Sequence, residues 1–410
     1  MRSVKKVAVL GGGPAGTSAA ERLAAAGLDT VVFDEKLAWE KPCGGGITYK
    51  AYNTYPYLIE NDVPKKLIHD AVVGASSAGE APMRLKHPLV IYSRLQLNQL
   101  LLNRAERAGA QLEKTRITGI ERASNGEGWR LATKHGVAEA DYLVVATGAR
   151  NPLRQVGTRY QAGDTMVALG YYVPSSRERI DIQFLQGLAG YIWVFPRQGH
   201  LSVGICGKGE SAQALRARLE RYMQERDIPL KNATFYSHML PSLDSGGWRT
   251  NRVAGDGWLA VGDAGGLVDP ITGEGLYYAL RSGDLASQAI LNEAASAPVE
   301  KAAAYRAHLR SDFMFDLEFA ALLAKPVFHT SVLFRTFPQR MVHYMRRSQR
   351  FRDLMQDLFA GTQPYLDLRR RILGNLNGTL QEVLIRFLLN RMLPSQSSVL
   401  RQAADSPFTS

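Results

Sequence analysis

The chain has 410 residues, of which 45% are hydrophobic and 21% are charged, so it can bury a large core and form two packed lobes or two to three domains. This composition excludes a disordered polymer, and two cysteines, Cys43 and Cys206, are too few for a disulfide framework or a four-thiolate zinc site. The net charge of +12 favours a polyanion or an anionic membrane surface as a partner.

The first predicted elements form a β-α-β unit. Residues 7–10 are a short apolar run that ends in glycines, residues 15–26 have helical apolar spacing, and residues 30–33 are a second, β-branched run. Residues 7–10 are too short for the apolar region of a signal peptide, which needs about 7 residues. The N-terminus is therefore predicted to be a strand, and the low cysteine content makes the cytoplasm the expected location.

The remaining predicted elements alternate between helical and extended patterns. In chain order they are a helix at 93–108, strands at 115–120 and 142–146, a group of strands at 164–207, a strand at 258–261, a helix at 275–292, and a helical, basic region after residue 298. The order β-α-β, then all-β, then β-α predicts one sheet domain assembled from separated segments, with a second β lobe inserted into it.

A glycine-rich turn joins the first predicted strand to the first predicted helix. Its sequence is Gly11-Gly12-Gly13-Pro14-Ala15-Gly16, which fits the G-x-G-x-x-G fingerprint of dinucleotide-binding folds. Gly11 permits the tight turn, Gly13 lets the backbone approach a pyrophosphate, and Gly16 lets helix and strand pack closely. Asp34, which Glu35 follows, ends the second strand, where a carboxylate can bind ribose hydroxyls. The pattern favours NAD or FAD over NADP.

Three further segments resemble motifs of one flavoprotein superfamily. The sequence GDAGGLVDP at 262–270, continued by TGEGL at 272–276, resembles the second FAD motif of the p-hydroxybenzoate hydroxylase-like superfamily. The sequences KPCGGG at 41–46 and YIWVFP at 191–196 resemble motifs of its geranylgeranyl reductase branch. The resemblance covers residues 4–292, about seven tenths of the chain.

The resemblance implies FAD as the cofactor and an α/β fold. It implies a Rossmann-like FAD-binding domain of the p-hydroxybenzoate hydroxylase type, built discontinuously from residues 1–75, 93–160 and 250–298. An inserted β-sheet substrate domain is predicted at 76–92 and 161–249. Residues 299–410 are predicted to be a C-terminal helical, basic region.

The resemblance also implies how the flavin is held. Asp263 ends a strand, where its carboxylate can bind the ribityl hydroxyls. A helix begins near Gly275, so the amides of Gly273, Gly275 and Leu276 can face the flavin N1–C2=O edge, which is negatively charged in reduced flavin. Arg94 resembles the family's FAD-contacting arginine, with an ordinary surface cation as the alternative.

Two more cofactor contacts follow from the family pattern. Thr118 matches a backbone contact to the adenine. Gly44, Gly45 and Gly46 permit the backbone to lie against the isoalloxazine ring.

Cys43 and an aromatic strand are the candidates for the substrate side. In the family the matching cysteine lies near flavin and substrate, which implies a proton-donating or positioning role; a small buried packing residue is the other interpretation. Tyr191, Trp193 and Phe195 alternate and therefore share one face of a strand. They form either a pocket wall for a long apolar substrate or ordinary core. Cys206 replaces the second glycine of the family's G-x-G, which leaves the shape of the substrate open.

These features predict an FAD-dependent oxidoreductase that reduces C=C bonds of an isoprenoid or other apolar substrate by hydride transfer from reduced flavin. The alternative is a flavin-dependent monooxygenase or halogenase acting on an aromatic or secondary-metabolite substrate. Against it, residues 148–154 lack the Asp-Gly pair of the aromatic hydroxylases, and residues 191–196 fit the halogenase pattern W-x-W-x-I-P less well than the reductase pattern. An electron carrier without its own small substrate is a third class.

The reductase interpretation requires an external electron donor, because a second dinucleotide fingerprint is not visible in the sequence. The candidates are NAD(P)H, ferredoxin or a flavin reductase. The eight histidines have no close ligand spacing such as i, i+4, so no metal site is predicted.

The C-terminal region concentrates the positive charge. Residues 325–393 carry a net +8 of the chain's +12, and residues 335–352 and 380–393 predict amphipathic basic helices. Peripheral contact with the inner face of a membrane, a cap on the β lobe, and a dimer contact are the open interpretations. No run of apolar residues reaches the roughly 18 needed to span a bilayer. No nucleic-acid partner is predicted, because no recognition motif accompanies the charge.

Overall fold

The computed structural model describes residues 4–124, 126–329, 331–332 and 335–374. Within these residues the chain forms a six-stranded and an eight-stranded sheet, together with one small sheet of three strands and one of two. The α-helices of the described residues are Pro14–Ala25, Tyr49–Thr54, Arg94–Arg107, Ala212–Glu225, Ser245–Arg249, Leu276–Leu291, Pro298–Leu309, Phe315–His329, Phe337–Arg347, Gln349–Ala360 and Tyr365–Gly374.

The six-stranded sheet positions the N-terminal glycine turn. Its strands, in spatial order, are Ala254–Gly255, Trp258–Ala260, Tyr142–Val145, Lys6–Leu10, Asp29–Phe33 and Gln111–Glu113. The strand Lys6–Leu10 pairs in parallel with both neighbours. Val7 and Val9 pack in the core with the helix Pro14–Ala25, whereas Ala8 and Leu10 pack in the core with the three-stranded sheet. A strand buried on both faces is apolar at every position, which explains the uninterrupted run.

The three-stranded sheet corrects one predicted element. Its strands are Gly119–Arg122, Trp129–Thr133 and Gly136–Ala140. The strand predicted at 115–120 is wrong at its start, because residues 115–118 have no regular structure. The ladder with Trp129–Thr133 begins at the Gly119–Ala132 pair, so the strand starts at Gly119.

The eight-stranded sheet forms the floor of the second lobe. Its strands, in spatial order, are Thr234–Pro241, Thr165–Val173, Leu201–Lys208, Ala189–Pro196, Arg179–Phe184, Lys66–Ala75, Gly79–Ile91 and Gly46–Ile47. The predicted domain boundary between residues 75 and 76 is wrong. Lys66–Ala75 pairs with Gly79–Ile91 as a hairpin and in parallel with Arg179–Phe184. A boundary at residue 75 would therefore split two hydrogen-bonded strands of one sheet.

The C-terminal helices cover one face of this eight-stranded sheet. Met341, Val342 and Met345 share a core with Ile68 and Trp193 of the sheet. This packing confirms the cap on the β lobe for the basic helices at 335–352. The other predicted basic helix, at 380–393, lies outside the described residues. The short strands Ser331–Val332 and Arg335–Thr336 pair just before the helix Phe337–Arg347. None of the helices in the described part of the chain is both long and apolar enough to cross a membrane.

Candidate functional site

A cavity of about 630 Å³ lies between the two lobes and the C-terminal helices, within the size range of small-molecule and cofactor pockets. Among the predicted site residues it is lined by Pro14, Cys43, Gly44, Gly45, Gly46, Arg94, Tyr191, Trp193, Phe195, Cys206, Asp263, Gly273, Gly275 and Leu276. Tertiary folding therefore brings many of the predicted flavin contacts and the predicted substrate wall to one cavity. The remaining predicted cofactor residues, Gly11, Gly13, Ala15, Gly16, Asp34, Glu35 and Thr118, are not part of the cavity wall.

The N-terminal turn has the geometry that a dinucleotide-binding turn requires. Gly11 has a φ of +122°, and a Cβ atom there would lie 2.2 Å from the carbonyl oxygen of Ala146. A Cβ atom at Gly16 would lie 2.0 Å from the carbonyl oxygen of Gly11, whereas a Cβ atom at Gly13 would meet no atom within 4 Å. Gly11 and Gly16 are therefore required by packing, and Gly13 faces open space where a pyrophosphate can approach.

The acidic residues after the second strand have different surroundings. The Asp34 carboxylate accepts a hydrogen bond from the Gly12 amide at 2.8 Å, which places it beside the glycine turn. Glu35 is exposed and forms a 3.9 Å ion pair with Arg116. The Thr118 amide donates to the carbonyl oxygen of Ala132 at 2.9 Å, and the contact of Thr118 with the adenine stays a prediction.

Arg94 carries the clearest sign that a ligand belongs in this cavity. The side chain is only 3% exposed, so the alternative of a surface cation is wrong. One guanidinium nitrogen donates to Asn98 at 3.2 Å, but the Nε atom is buried without a partner in the protein. An unpaired buried donor on a cation is costly. An acceptor-rich group such as the phosphate and ribityl part of FAD would satisfy it, so these residues fit the cofactor.

The loop before the helix Leu276–Leu291 differs from the expectation in one respect. The Gly273 amide was expected to face the flavin, but it donates to the carbonyl oxygen of Asp269 at 2.9 Å. The Asp269 amide donates in turn to the carbonyl oxygen of Glu274 at 2.9 Å, so the two bonds close a turn. The Glu274 carboxylate accepts from the Tyr277 amide at 2.9 Å. A side-chain carboxyl group thus already occupies part of the positive helix start.

Asp263 lies near a lysine that the sequence analysis did not single out. The Asp263 carboxylate is 3.6 Å from the ammonium nitrogen of Lys41. His238, on the strand Thr234–Pro241, also lines the cavity. Burial, together with the positive charges of Lys41 and Arg94, lowers the pKa of His238 to about 4. His238 is therefore neutral at neutral pH.

An ion pair between the buried Arg197 and the half-buried Glu40 connects three of the predicted motifs. The Arg197 guanidinium forms an ion pair with Glu40 and donates to the carbonyl oxygens of Cys43 and Gly44. The Glu40 carboxylate also accepts from the Arg94 amide at 2.9 Å, at the start of the helix Arg94–Arg107. Burial opposes the charge of Glu40, but the positive charge of Arg197 and hydrogen bonds from residues 93–95 hold its pKa below the usual value. We call Glu40 and Arg197 the buried hub.

Sequence reasoning missed this buried hub. A local signal existed, because Glu40 directly precedes the KPCGGG segment and Arg197 directly follows the YIWVFP segment. A charged residue next to a motif has many possible partners, however, and the pairing across 157 residues is set by the tertiary fold.

The glycines after Cys43 are required by contacts within the protein. A Cβ atom at Gly44 would lie 2.5 Å from the ring of Phe195. Gly45 has a φ of +86°, and a Cβ atom there would lie 2.1 Å from the carbonyl oxygen of Tyr92. These contacts place the loop against the aromatic strand. Contact of Gly44, Gly45 and Gly46 with the isoalloxazine ring stays a prediction.

The aromatic strand faces the cavity as well as the core. The Tyr191 hydroxyl donates to the carbonyl oxygen of Thr272, which ties the strand to the loop predicted to hold the flavin. A Cβ atom at Gly204 would lie 2.2 Å from the Trp193 ring, so the indole lies directly over this glycine. Cys206 is buried on the next strand, and burial raises the pKa of its thiol to about 11. Cys206 is therefore a neutral thiol in the wall.

Three carboxyl groups in the cavity wall, those of Asp269, Glu274 and Asp316, are protonated more readily than usual, because burial raises their pKa. Burial raises the pKa of Glu274 to about 7 and that of Asp316 to about 6. The negative charge of Asp269 acts in the same direction on both groups, and the positive charge of Lys50 opposes it.

The raised pKa of Glu274 predicts a pH-dependent stability of the apoprotein. The pKa lies above the usual 4.5, so the stabilisation by this group is complete below pH 4.5 and is lost as the pH rises through about 7. Glu274→Gln keeps an acceptor for the Tyr277 amide but removes the titration. We expect the stability of Glu274→Gln relative to the unmodified chain to increase between pH 5 and pH 8 by about 2 kcal/mol. Urea unfolding of both apoproteins across this pH range measures the difference in their free energies of unfolding. A difference that does not change with pH would contradict the prediction.

Comparison with known families supports the class of protein that this geometry indicates. A family model described as "Pyridine nucleotide-disulphide oxidoreductase" matches residues 5–164, and one described as "FAD dependent oxidoreductase" matches residues 86–284. The chloroplastic geranylgeranyl diphosphate reductase of Oryza sativa subsp. japonica is 31% identical over 324 residues, which cover 70% of this chain and 66% of the rice protein, just under two thirds. The menaquinone reductase of Mycobacterium tuberculosis (strain CDC 1551 / Oshkosh) is 29% identical over 311 residues, which cover 69% of this chain and 75% of the mycobacterial protein.

Solved structures share the fold. The geranylgeranyl bacteriochlorophyll reductase-like protein of Thermoplasma acidophilum has a TM-score of 0.74 at 20% identity, covering 91% of this chain and 100% of that one. A flavin-dependent brominase has a TM-score of 0.65 at 17% identity, covering 88% of this chain and 94% of the brominase chain. Both likenesses are at a level of identity that establishes the fold alone.

The glycine turn, the buried unpaired Arg94 and the family matches define an FAD-dependent oxidoreductase, as predicted. Within this class, the chain is similar to the geranylgeranyl reductase-like family. An enzyme of this kind takes electrons from a donor and passes them to a substrate.

Proposed function

We propose that the enzyme reduces C=C bonds of an isoprenoid or similar apolar substrate in the cavity beside the flavin. The observation that carries the proposal is the composition of one continuous cavity wall. Arg94, Asp263 and Gly275 lie in the same wall as Tyr191 and the other aromatic residues of its strand. A bound flavin and an apolar chain would therefore share one cavity. The rice and mycobacterial relatives, named as reductases of geranylgeranyl diphosphate and of menaquinone, support the substrate class.

FAD, when bound and reduced, supplies the hydride that such a reduction requires. The chain itself excludes water, orients the substrate and holds a proton. Apolar side chains from the sheet and from the C-terminal helices, such as Ile182, Met341 and Met355, exclude water from the cavity. Tyr191, bound to Thr272, holds the aromatic wall against the flavin loop. The Cys43 sulfur accepts a hydrogen bond from the Gly45 amide at 3.3 Å, and its thiol proton is the one we assign to the substrate carbon.

Anaerobic reoxidation tests the proposal. Protein reconstituted with FAD is reduced chemically without oxygen and mixed with polyprenyl alcohols, diphosphates and quinones, and with an aromatic panel. We expect polyprenyl compounds to reoxidise the flavin and to gain two hydrogens per bond reduced. If only oxygen reoxidises the flavin and an aromatic compound becomes hydroxylated or halogenated, the monooxygenase or halogenase alternative holds instead. Reoxidation only by a protein acceptor would identify an electron carrier.

Cys43 is tested in the same assay. Cys43→Ala removes the thiol proton, and we expect the substrate-dependent reoxidation to slow by about 100-fold, with reduction by a chemical donor unchanged. Cys43→Ser retains a hydroxyl proton, so its rate of substrate-dependent reoxidation should fall less than that of Cys43→Ala. Equal rates for the unmodified enzyme and Cys43→Ala would remove this cysteine from the mechanism and favour the packing role.

The electron donor and the location belong to the proposal as well. NAD(P)H, ferredoxin or a flavin reductase would deliver the electrons to a cytoplasmic enzyme. Peripheral contact with an anionic inner membrane face would use the exposed Arg346, Arg347 and Arg350, because the apolar faces of these helices are already buried against the sheet. Cosedimentation with anionic and neutral vesicles tests this contact. No role for nucleic acid is proposed.

A further inference from the structure

The cavity has an apolar chamber and a polar end. Leu89, Ile182 and Phe184 line the chamber from the sheet, and Met341 and Leu354 line it from the C-terminal helices. Such a wall accepts a hydrocarbon chain but offers nothing to a charged head group. The head group of a polyprenyl substrate is therefore selected at the polar end.

The polar end is acidic. Asp269, Glu274 and Asp316 line it, and Lys50 is the only lysine or arginine among the described lining residues besides Lys41 and Arg94. Lys41 is 3.6 Å from Asp263, which is predicted to hold the flavin. The acidic end adjoins the same site through the loop that carries Glu274. A fourth carboxylate, Asp312, also lines the polar end and is paired with Arg281 at 2.9 Å.

These carboxyl groups are held in place by the fold. The Asp269 carboxylate accepts from the hydroxyl of Tyr365 at 2.8 Å, and that of Asp316 accepts from the Leu366 amide at 3.0 Å. Glu274 binds the amide of Tyr277 at the start of the helix Leu276–Leu291. This helix start would otherwise be an anion site, and its occupation by a carboxyl group excludes a phosphate from it.

A diphosphate needs several cations or free amides to offset its charge. Here a diphosphate would meet one lysine among four carboxyl groups, so its charge would not be offset. The carboxyl groups that are ionised would repel it at short range, where a low-dielectric wall screens weakly. An uncharged carbonyl or hydroxyl head meets no such repulsion and can accept a hydrogen bond from the Lys50 ammonium. We infer that the enzyme binds polyprenyl substrates with an uncharged, oxygen-bearing head, a quinone or an alcohol, and discriminates against polyprenyl diphosphates. This inference rests on the proposed function and narrows its substrate class.

Binding to the oxidised, FAD-loaded protein tests the inference without relying on turnover. Geranylgeraniol, geranylgeranyl diphosphate and a menaquinone with the same side chain are titrated calorimetrically. Alcohol and diphosphate share one hydrocarbon chain, so their ratio of dissociation constants reports the head group alone. We expect the alcohol and the quinone to bind at least about tenfold more tightly than the diphosphate, because of the acidic wall.

Two variants and a control extend the test. Glu274→Gln and Asp316→Asn keep the acceptor oxygens for their backbone partners. Each should strengthen diphosphate binding and so bring the dissociation constants of diphosphate and alcohol closer together. Glu139→Gln, an exposed carboxylate on the three-stranded sheet, should leave the ratio unchanged. The inference is overturned if the unmodified protein binds the diphosphate as tightly as the alcohol, or if both cavity variants leave the ratio unchanged. If no polyprenyl compound binds or reoxidises the flavin, the proposed function itself fails.

Discussion

Replacing Arg197 by Met is expected to lower the free energy of unfolding by about 2–3 kcal/mol, because it removes a fully buried cation and leaves the half-buried Glu40 carboxylate without its partner. The same change frees the carbonyl oxygens of Cys43 and Gly44, which Arg197 holds. The loop at 41–46 should then lose its fixed position against the aromatic strand. We therefore expect weaker FAD binding in addition to lower stability. Urea unfolding of the apoprotein measures the first effect, and titration of the apoprotein with FAD measures the second.

A surface arginine and a conservative replacement serve as controls for Arg197. Arg218→Met removes a two-contact ion pair with Glu210 at the surface and should cost less than about 1 kcal/mol. Arg197→Lys keeps the charge, but the lysine cannot bind Glu40 and both carbonyl oxygens at once as the planar guanidinium does. The decrease in its free energy of unfolding should therefore be intermediate. The double variant Arg197→Met with Glu40→Gln should cost less than the sum of the two single changes. Equal costs for Arg197→Met and Arg218→Met would show that the buried hub has no special role.

Replacing Arg94 by Met is expected to separate cofactor binding from stability. Its Nε atom is buried and unpaired, so removing the cation should leave the apoprotein equally stable or more stable. In the FAD complex the arginine supplies a charge-assisted hydrogen bond of about 1.5–3 kcal/mol. The dissociation constant for FAD should therefore rise by about 10- to 150-fold. Fluorescence titration with FAD and unfolding of the apoprotein give the two quantities independently.

The control for Arg94 lies on the same helix. Arg104 forms an ion pair with Glu21 and lies over the ring of Tyr57, away from the cavity. Arg104→Met should leave the FAD affinity unchanged and lower the stability slightly. A drop in apoprotein stability with normal FAD affinity in Arg94→Met would make Arg94 a structural residue and remove it from the cofactor site.

Local patterns were enough to predict the cofactor turn and the order of elements. The strand Lys6–Leu10, the turn at 11–16 and the helix Pro14–Ala25 follow from an apolar run, three glycines and helical spacing within about 20 residues. Each signal depends on neighbours close in the chain, so each is visible without the fold. The class of FAD-dependent oxidoreductase and the similarity to the reductase family rest on these segments and on the motif at 262–276.

The tertiary structure alone decided what these segments contact. Three contacts join parts of the chain that no local pattern relates. They are the pairing of Lys66–Ala75 with Arg179–Phe184, the ion pair between Glu40 and Arg197, and the contact of Phe195 with Gly44. The burial of the basic helices against the eight-stranded sheet is of the same kind, because an amphipathic pattern specifies an apolar face but not its partner. The acidic end of the cavity likewise brings together carboxyl groups from the loop at 269–274 and from residues 312–316, and Asp269, Asp312 and Asp316 are each held by a distant part of the chain. Charge and burial at a site depend on distances in space, and these exist only once the chain has folded.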